Sequence, residues 1–185
     1  MAWTTPGTAT AGEVLTAAFW NTNVRDNLVT TYNYGNVAYF RDEKPSGTAG
    51  GTFTSGSYVT RVLNTTVVNN ITGCSLSSNQ VTLTAGTYWI QGEAPALNVT
   101  EHRVLFYNVT DSSNAVLGTS GAYLTAVTVN SGGVARLEGP VTITGTKTFE
   151  LRHRCSTTRA TNGLGIPNTY GEVEVYAQLW IWKVS

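Results

Sequence analysis

Two histidines, two cysteines and a group of arginines hold most of the chemistry open to this 185-residue chain. His102 lies in "EHRV" and His153 in "RHRC", both in strand-like runs flanked by arginine. His153 and Cys155 are two residues apart and so share one face of a strand, a spacing from which an imidazole could activate a thiol. The same spacing suits a core cysteine beside a hydrogen-bonded histidine, and that is the reading favoured. Cys74 is distant in sequence and no C-x-x-C occurs, so a zinc site is not expected. The pair reads as two small buried thiols, with a disulfide joining two strands as the alternative. Arg103, Arg152 and Arg154 accompany Glu101 and Glu150, either as cross-strand ion pairs or as a solvated strand face.

Nothing organises these groups into a catalytic constellation. No Ser-His-Asp or Cys-His spacing is suggested, and no glycine-rich phosphate loop of the P-loop type is present. Asp42-Glu43 and Asp111 adjoin turns and read as turn chemistry, not as metal ligands. Paired carboxylates can lie far apart in sequence, but no pairing is indicated here. No enzymatic activity, cofactor or metal is expected.

The elements that must position these residues are mostly strands. Charged residues make up 12% of the chain, against roughly 25% in ordinary soluble domains. The net charge is zero, from 11 basic and 11 acidic residues. No basic footprint for nucleic acid follows from this, and no charge block suggests a membrane surface. Nine Tyr, five Trp and 19 Gly favour a β-rich protein. Near-neutral surfaces self-associate, which suits a chain working inside an assembly. No secretion signal or bilayer-spanning stretch is visible, so four glycosylation sequons, at Asn64, Asn70, Asn98 and Asn108, read as chance.

Residues 1–12 read as an extended arm and Thr16 as an N-cap. Trp20, Val24, Leu28 and Tyr32 then recur every four residues as one helical stripe, with Gly35 as the stop. A helix of about four turns is marginal alone in water, so its stripe needs a partner. The Gly/Pro/Ser-rich stretch at 42–52 reads as a loop at the border of arm and head. Strands are expected from 37 and near 52–54, 57–63, 80–84, 86–97, 102–110, 115–119, 122–129, 133–144, 146–155 and 171–184, in an antiparallel sandwich. The loop at 156–170 is the longest in the head and a candidate binding segment. In "GEVEVYAQLWIWKV" one face carries Val173, Val175, Ala177, Leu179 and Ile181. The other begins with Glu172 and Glu174, continues through Tyr176 and Gln178, and ends in Trp180 and Trp182. A water-facing sheet should not end in two tryptophans, so something is expected to cover them. "HRVLFYNV" shows the same two-faced pattern.

Five stretches, "GTAGGTFTSGSYVTRVLNT", "LSSNQVTLTAGTYWIQGEAPA", "HRVLFYNVTDSSNAVLGTS", "TKTFELRHRCSTTRATNG" and "EVEVYAQLWIWKV", resemble a head domain common in phage and prophage virion proteins. That domain is similar to the jelly roll of the tumour-necrosis-factor and complement globular-head superfamily, and "AGTYWI" resembles its Gly-Tyr strand signature. Separately, "WTTPGTATAGEVLTAAFWNTNVRDNL" resembles the opening of many phage structural proteins, most specifically in VRDNL. Phe19-Trp20 is bulkier than such openings usually are.

The resemblance implies an all-β antiparallel jelly roll at 37–185, preceded by an arm and one short helix at 1–36, in a homotrimer on a virion surface. It implies an anchor made of Trp3, Phe19, Trp20, Val24 and Leu28, and subunit contacts at Tyr176, Trp180 and Trp182. The anchor's partner would be a major capsid protein, for a decoration or cement protein. For a short tail fibre or receptor-binding appendage it would be a tail or baseplate protein, with a host surface receptor at the head. The absence of a repeat, coiled coil or collagen-like shaft between arm and head favours decoration.

Overall fold

The computed structural model describes residues 5–8, 10–28, 35–122 and 132–184. The chain separates into two compact units, 1–36 and 37–185.

In the first unit, Thr16 caps a helical turn, α1 (Ala17–Trp20), its hydroxyl accepting from the Phe19 amide at 3.2 Å. A π-helical turn follows at Asn21–Arg25, where the Asp26 amide reaches back to the Asn21 carbonyl. Two asparagines account for the departure from α geometry. The Asn23 amide donates to the Phe19 carbonyl at 2.9 Å and the Asn27 amide to the Asn23 carbonyl at 3.2 Å. Side chains thereby compete with main-chain amides for the same acceptors. The arm also folds onto this turn, with the Gly7 amide donating to the Asn23 side-chain oxygen at 2.6 Å. The expected continuation of the helix through Tyr32 lies outside the described residues.

The second unit is a two-sheet sandwich. One sheet has the order β10-β6-β12-β1-β3, from β10 (Gly132–Ile143), β6 (Gly86–Leu97), β12 (Glu174–Lys183), β1 (Asn36–Lys44) and β3 (Thr65–Asn69). The other runs β4-β5-β11-β7-β8, from β4 (Ser75–Ser77), β5 (Gln80–Leu83), β11 (Lys147–Cys155), β7 (Glu101–Asn108) and β8 (Ser113–Leu117). β2 (Val59–Thr60) pairs with β11, and β9 (Gly121–Ala122) with β7. Every described pairing is antiparallel. The inward faces alternate as the pleat requires. Val104 and Phe106 from β7, Phe149 and Leu151 from β11, Ile90 from β6, and Leu179 and Ile181 from β12 are fully buried between the sheets. Phe106 and Phe149 stack at 4.7 Å.

Four expectations are corrected. The 42–52 stretch is no border between arm and head. Asp42 to Lys44 complete β1, and the loop after them is knit into the head by Gly50 and Gly51 amides donating to Gly165 and Thr161 carbonyls. The strand expected at 52–54 is a single bridge between Phe53 and Arg159. Residues 64–79, for which no strand was expected, contain β3 and β4. Val173 and Val175 do not reach the core: Val173 is 55% exposed and Val175 half-buried, while Glu174 and Tyr176 are buried instead.

Candidate functional site

Three regions carry the residues singled out from sequence. In the first unit, Trp20 and Leu28 are 52% and 63% exposed. Phe19 and Val24 are half-buried, the Phe19 ring lying 3.4 Å from where a Cβ on Gly7 would sit. Trp3 lies outside the described residues.

The second region is the outer face of the β10-β6-β12-β1-β3 sheet. Register places Trp182 beside Trp89, Trp180 beside Gln91 and Gln178 beside Glu93. The Trp180 ring stacks on Tyr39 of β1 at 4.8 Å, within 8° of parallel. One end of the face is therefore aromatic. The other end is a polar network. The Tyr39 hydroxyl donates to Gln178, whose amide donates to Glu93 at 2.6 Å, and Arg136 pairs with Glu93 at 3.2 Å. The Trp89 indole N–H donates to Glu138 at 3.0 Å, yet Trp89 remains 40% exposed. Trp180 and Trp182 stay half-buried. Neither Trp89 nor Tyr39 was singled out from sequence. The alternation of "TYWI" marks Trp89 as outward-facing, but only the β6–β12 register sets it against Trp182.

Tyr176 belongs elsewhere. It is 4% exposed, its hydroxyl donates to the Thr48 carbonyl at 2.7 Å, and its ring packs on Gly165. A Cβ on Gly165, whose φ is +141°, would lie 2.1 Å from that ring. Burial, with the Glu174 and Asp42 charges, pushes the phenol up to about 12. The tyrosine thus clamps the chain's own loops and has little surface left for a subunit contact. Glu174 works beside it, accepting amides of Gly47, Asn168 and Thr169 at 3.0–3.1 Å. Those bonds hold its carboxyl below the ordinary range.

The third region contains the histidines. His102 and His153 meet inside the sandwich, Nδ1 to Nε2 at 2.8 Å, with Phe53 4.5 Å from the His153 ring centre. Arg61, 1% exposed, lies among them and donates to the Leu164 carbonyl at 3.0 Å. Burial and the Arg61 charge push both imidazoles down from their ordinary value. Arg61 itself is lowered to about 10 by burial, which the charge of Asp42, 2% exposed, partly offsets. Cys155 donates to the Thr157 carbonyl at 3.3 Å and is shifted up by burial, so no activated thiolate results. Cys74 is pushed up to about 12 by burial. Both cysteines are free.

Above this pair, at the surface of the other sheet, lies an open cleft of about 640 Å³ lined in part by Tyr58, Arg103, Ser120, Arg154 and Ser156. The arginine group divides there. Arg152 pairs with Glu150 at 2.7 Å, and its guanidinium covers the Tyr107 ring at 3.6 Å. Arg103 and Arg154 sit opposite each other in the β7–β11 register. Among the described residues no cluster of three or more His, Cys, Asp or Glu could hold a metal, and no helix is long and apolar enough to cross a membrane.

The strand orders define an antiparallel two-sheet jelly-roll sandwich. Among solved structures, murine APRIL at pH 5.0 is similar at 8% identity and a TM-score of 0.52, over 80% of this chain and 98% of that one. The globular domain of zebrafish complement 1qA protein is similar at 9% identity and a TM-score of 0.51, over 81% of this chain and 97% of that one. No protein-family model and no curated protein matches the sequence.

Proposed function

We propose that this chain is a homotrimeric structural protein of a bacteriophage virion, of the capsid-decoration type, displayed through its jelly roll and held by its N-terminal arm and helix. The observation that carries the reading is the aromatic end of one sheet face, where Trp89, Trp180 and Trp182 adjoin. A fully covered tryptophan buries about 150–250 Å². Part of that area is still open on the 40% exposed Trp89 and the half-buried Trp180 and Trp182, and an aromatic face of that kind is suited to packing on copies of itself. The sequence likeness of "WTTPGTATAGEVLTAAFWNTNVRDNL" to phage structural openings supports the virion assignment. The exposure of Trp20 and Leu28 leaves side chains free to be buried on a capsid partner. Three arms per trimer would multiply that hold.

The second reading is a short tail fibre or receptor-binding appendage, for which the open cleft beside Arg103 and Arg154 speaks. Location on the particle separates the two. Reconstruction of particles carrying the chain without residues 1–36 is expected to lose density at capsid three-fold positions and to yield heads fragile to heat. Unchanged capsids with missing tail appendages and failed adsorption would replace decoration with the fibre reading.

A further inference from the structure

Arg103 and Arg154 face each other across the β7–β11 pair. Like charges set directly opposite are destabilising. Here neither arginine has an ion-pair partner among the described residues, whereas Arg152, Arg41, Arg136 and Lys147 all do. Glu101, two residues from Arg103 and also on the cleft wall, makes no ion pair with either one. The Arg103 guanidinium is held by a hydrogen bond to the Ser120 hydroxyl, and that of Arg154 lies 5.9 Å from the centre of the Tyr58 ring. Two cations are thus braced at the edge of an open cleft of about 640 Å³, walled by an aromatic ring and serine hydroxyls.

We propose that this cleft binds an acidic saccharide, its carboxylate lying between Arg103 and Arg154. Guanidinium groups match carboxylate oxygens through paired N–H donors. The hydroxyls of Ser55 and Ser120 suit the ring hydroxyls of a sugar, and the face of Tyr58 its apolar side. The cleft volume falls in the range of small-ligand pockets, about 300–1,000 Å³, enough for one or two sugar units. The assignment concerns the head alone and holds whether the head sits on a capsid or a tail.

The test is calorimetric titration of the full chain with glucuronic acid and N-acetylneuraminic acid, using glucose and inorganic phosphate as comparison probes. Binding of an acidic sugar is expected, with affinity falling roughly tenfold or more in Arg103→Gln and in Arg154→Gln and unchanged in Lys147→Gln, at the far end of the same strand. Relief of like-charge repulsion should leave the melting temperature of Arg154→Gln equal to or above that of the parent, which separates lost binding from lost folding. Equal affinity for glucose would overturn the role of the arginines. Phosphate bound as tightly as the sugar acids would overturn the saccharide assignment. No binding of either acid by the parent chain would end the proposal.

Discussion

His153 shows how far burial decides the behaviour of a residue whose type suggests chemistry. Its ring is fully buried against His102, Phe53 and Arg61, and the neutral form is favoured. An unfolded histidine takes its proton near pH 6.5. Below that pH the unfolded chain therefore binds protons that the native fold refuses, and stability falls as pH falls. One such histidine should cost about 1.3 kcal/mol between pH 7.5 and 5.5. Asp42, raised by burial, acts in the opposite sense. Its folded form keeps a proton above the ordinary carboxylate value, so the stability it contributes is lost as pH rises. Urea midpoints at pH 7.5 and 5.5 should differ in the parent chain, and the difference should shrink in His153→Gln, with His102 keeping a share of it. An equal drop in the variant would assign the acid sensitivity elsewhere. The sequence placed His153 and Cys155 on one face and favoured a core role, which the structure bears out. It did not foresee the His102 contact or the opposition of Arg103 and Arg154. Both depend on the β7–β11 register, which joins residues some fifty apart in the chain and leaves no local trace.

At the scale of elements, legibility followed amphipathic pattern. β6, β10 and β11 alternate cleanly and were placed within a residue of their observed ends. β3 was missed because it is an edge strand with little buried side chain, Val67 being 45% exposed, so no alternation betrays it. β4 and β5 are joined by Ser78-Asn79, both with positive φ, a turn more often announced by Asn-Gly. The start of β12 misled for a different reason. Glu174 and Tyr176 are buried by loops from elsewhere in the chain, which a two-residue period does not encode. That loop clamp makes its own prediction. Gly165→Ala would drive a Cβ into the Tyr176 ring at a φ unfavourable to L residues, and should cost several kcal/mol in denaturant unfolding. Tyr176→Phe removes only the hydroxyl bond to Thr48 and should cost about 1 kcal/mol. Similar losses for the two variants would mean that the loops tolerate separation from the tyrosine.

For the whole molecule, the decisive property is what covers the aromatic sheet face. If three copies bury it, an aspartate in place of Trp180 or Trp182 sets a charge in an apolar contact and should dissociate the assembly. Light scattering of the parent chain is expected to give three times the 19.8 kDa chain mass, and Trp182→Asp a single chain mass. Both side chains are half-buried in the isolated chain and project away from the sandwich core, so the fold itself should survive. Far-ultraviolet circular dichroism with the same β signal in parent and variant would verify that. Tyr176→Phe supplies the contrast, because its ring is already enclosed by Gly165 and Thr48. It should remain trimeric, and its dissociation would place the subunit contact at the loop end of β12 instead. Removal of residues 1–36 separates assembly from attachment. The head's two sheets share one core without that segment, so the shortened chain should fold and trimerise yet fail to bind particles. Loss of the trimer on this deletion would move the anchor stripe of Trp20, Val24 and Leu28 into the subunit contact and remove the argument that it is held in reserve for a capsid partner.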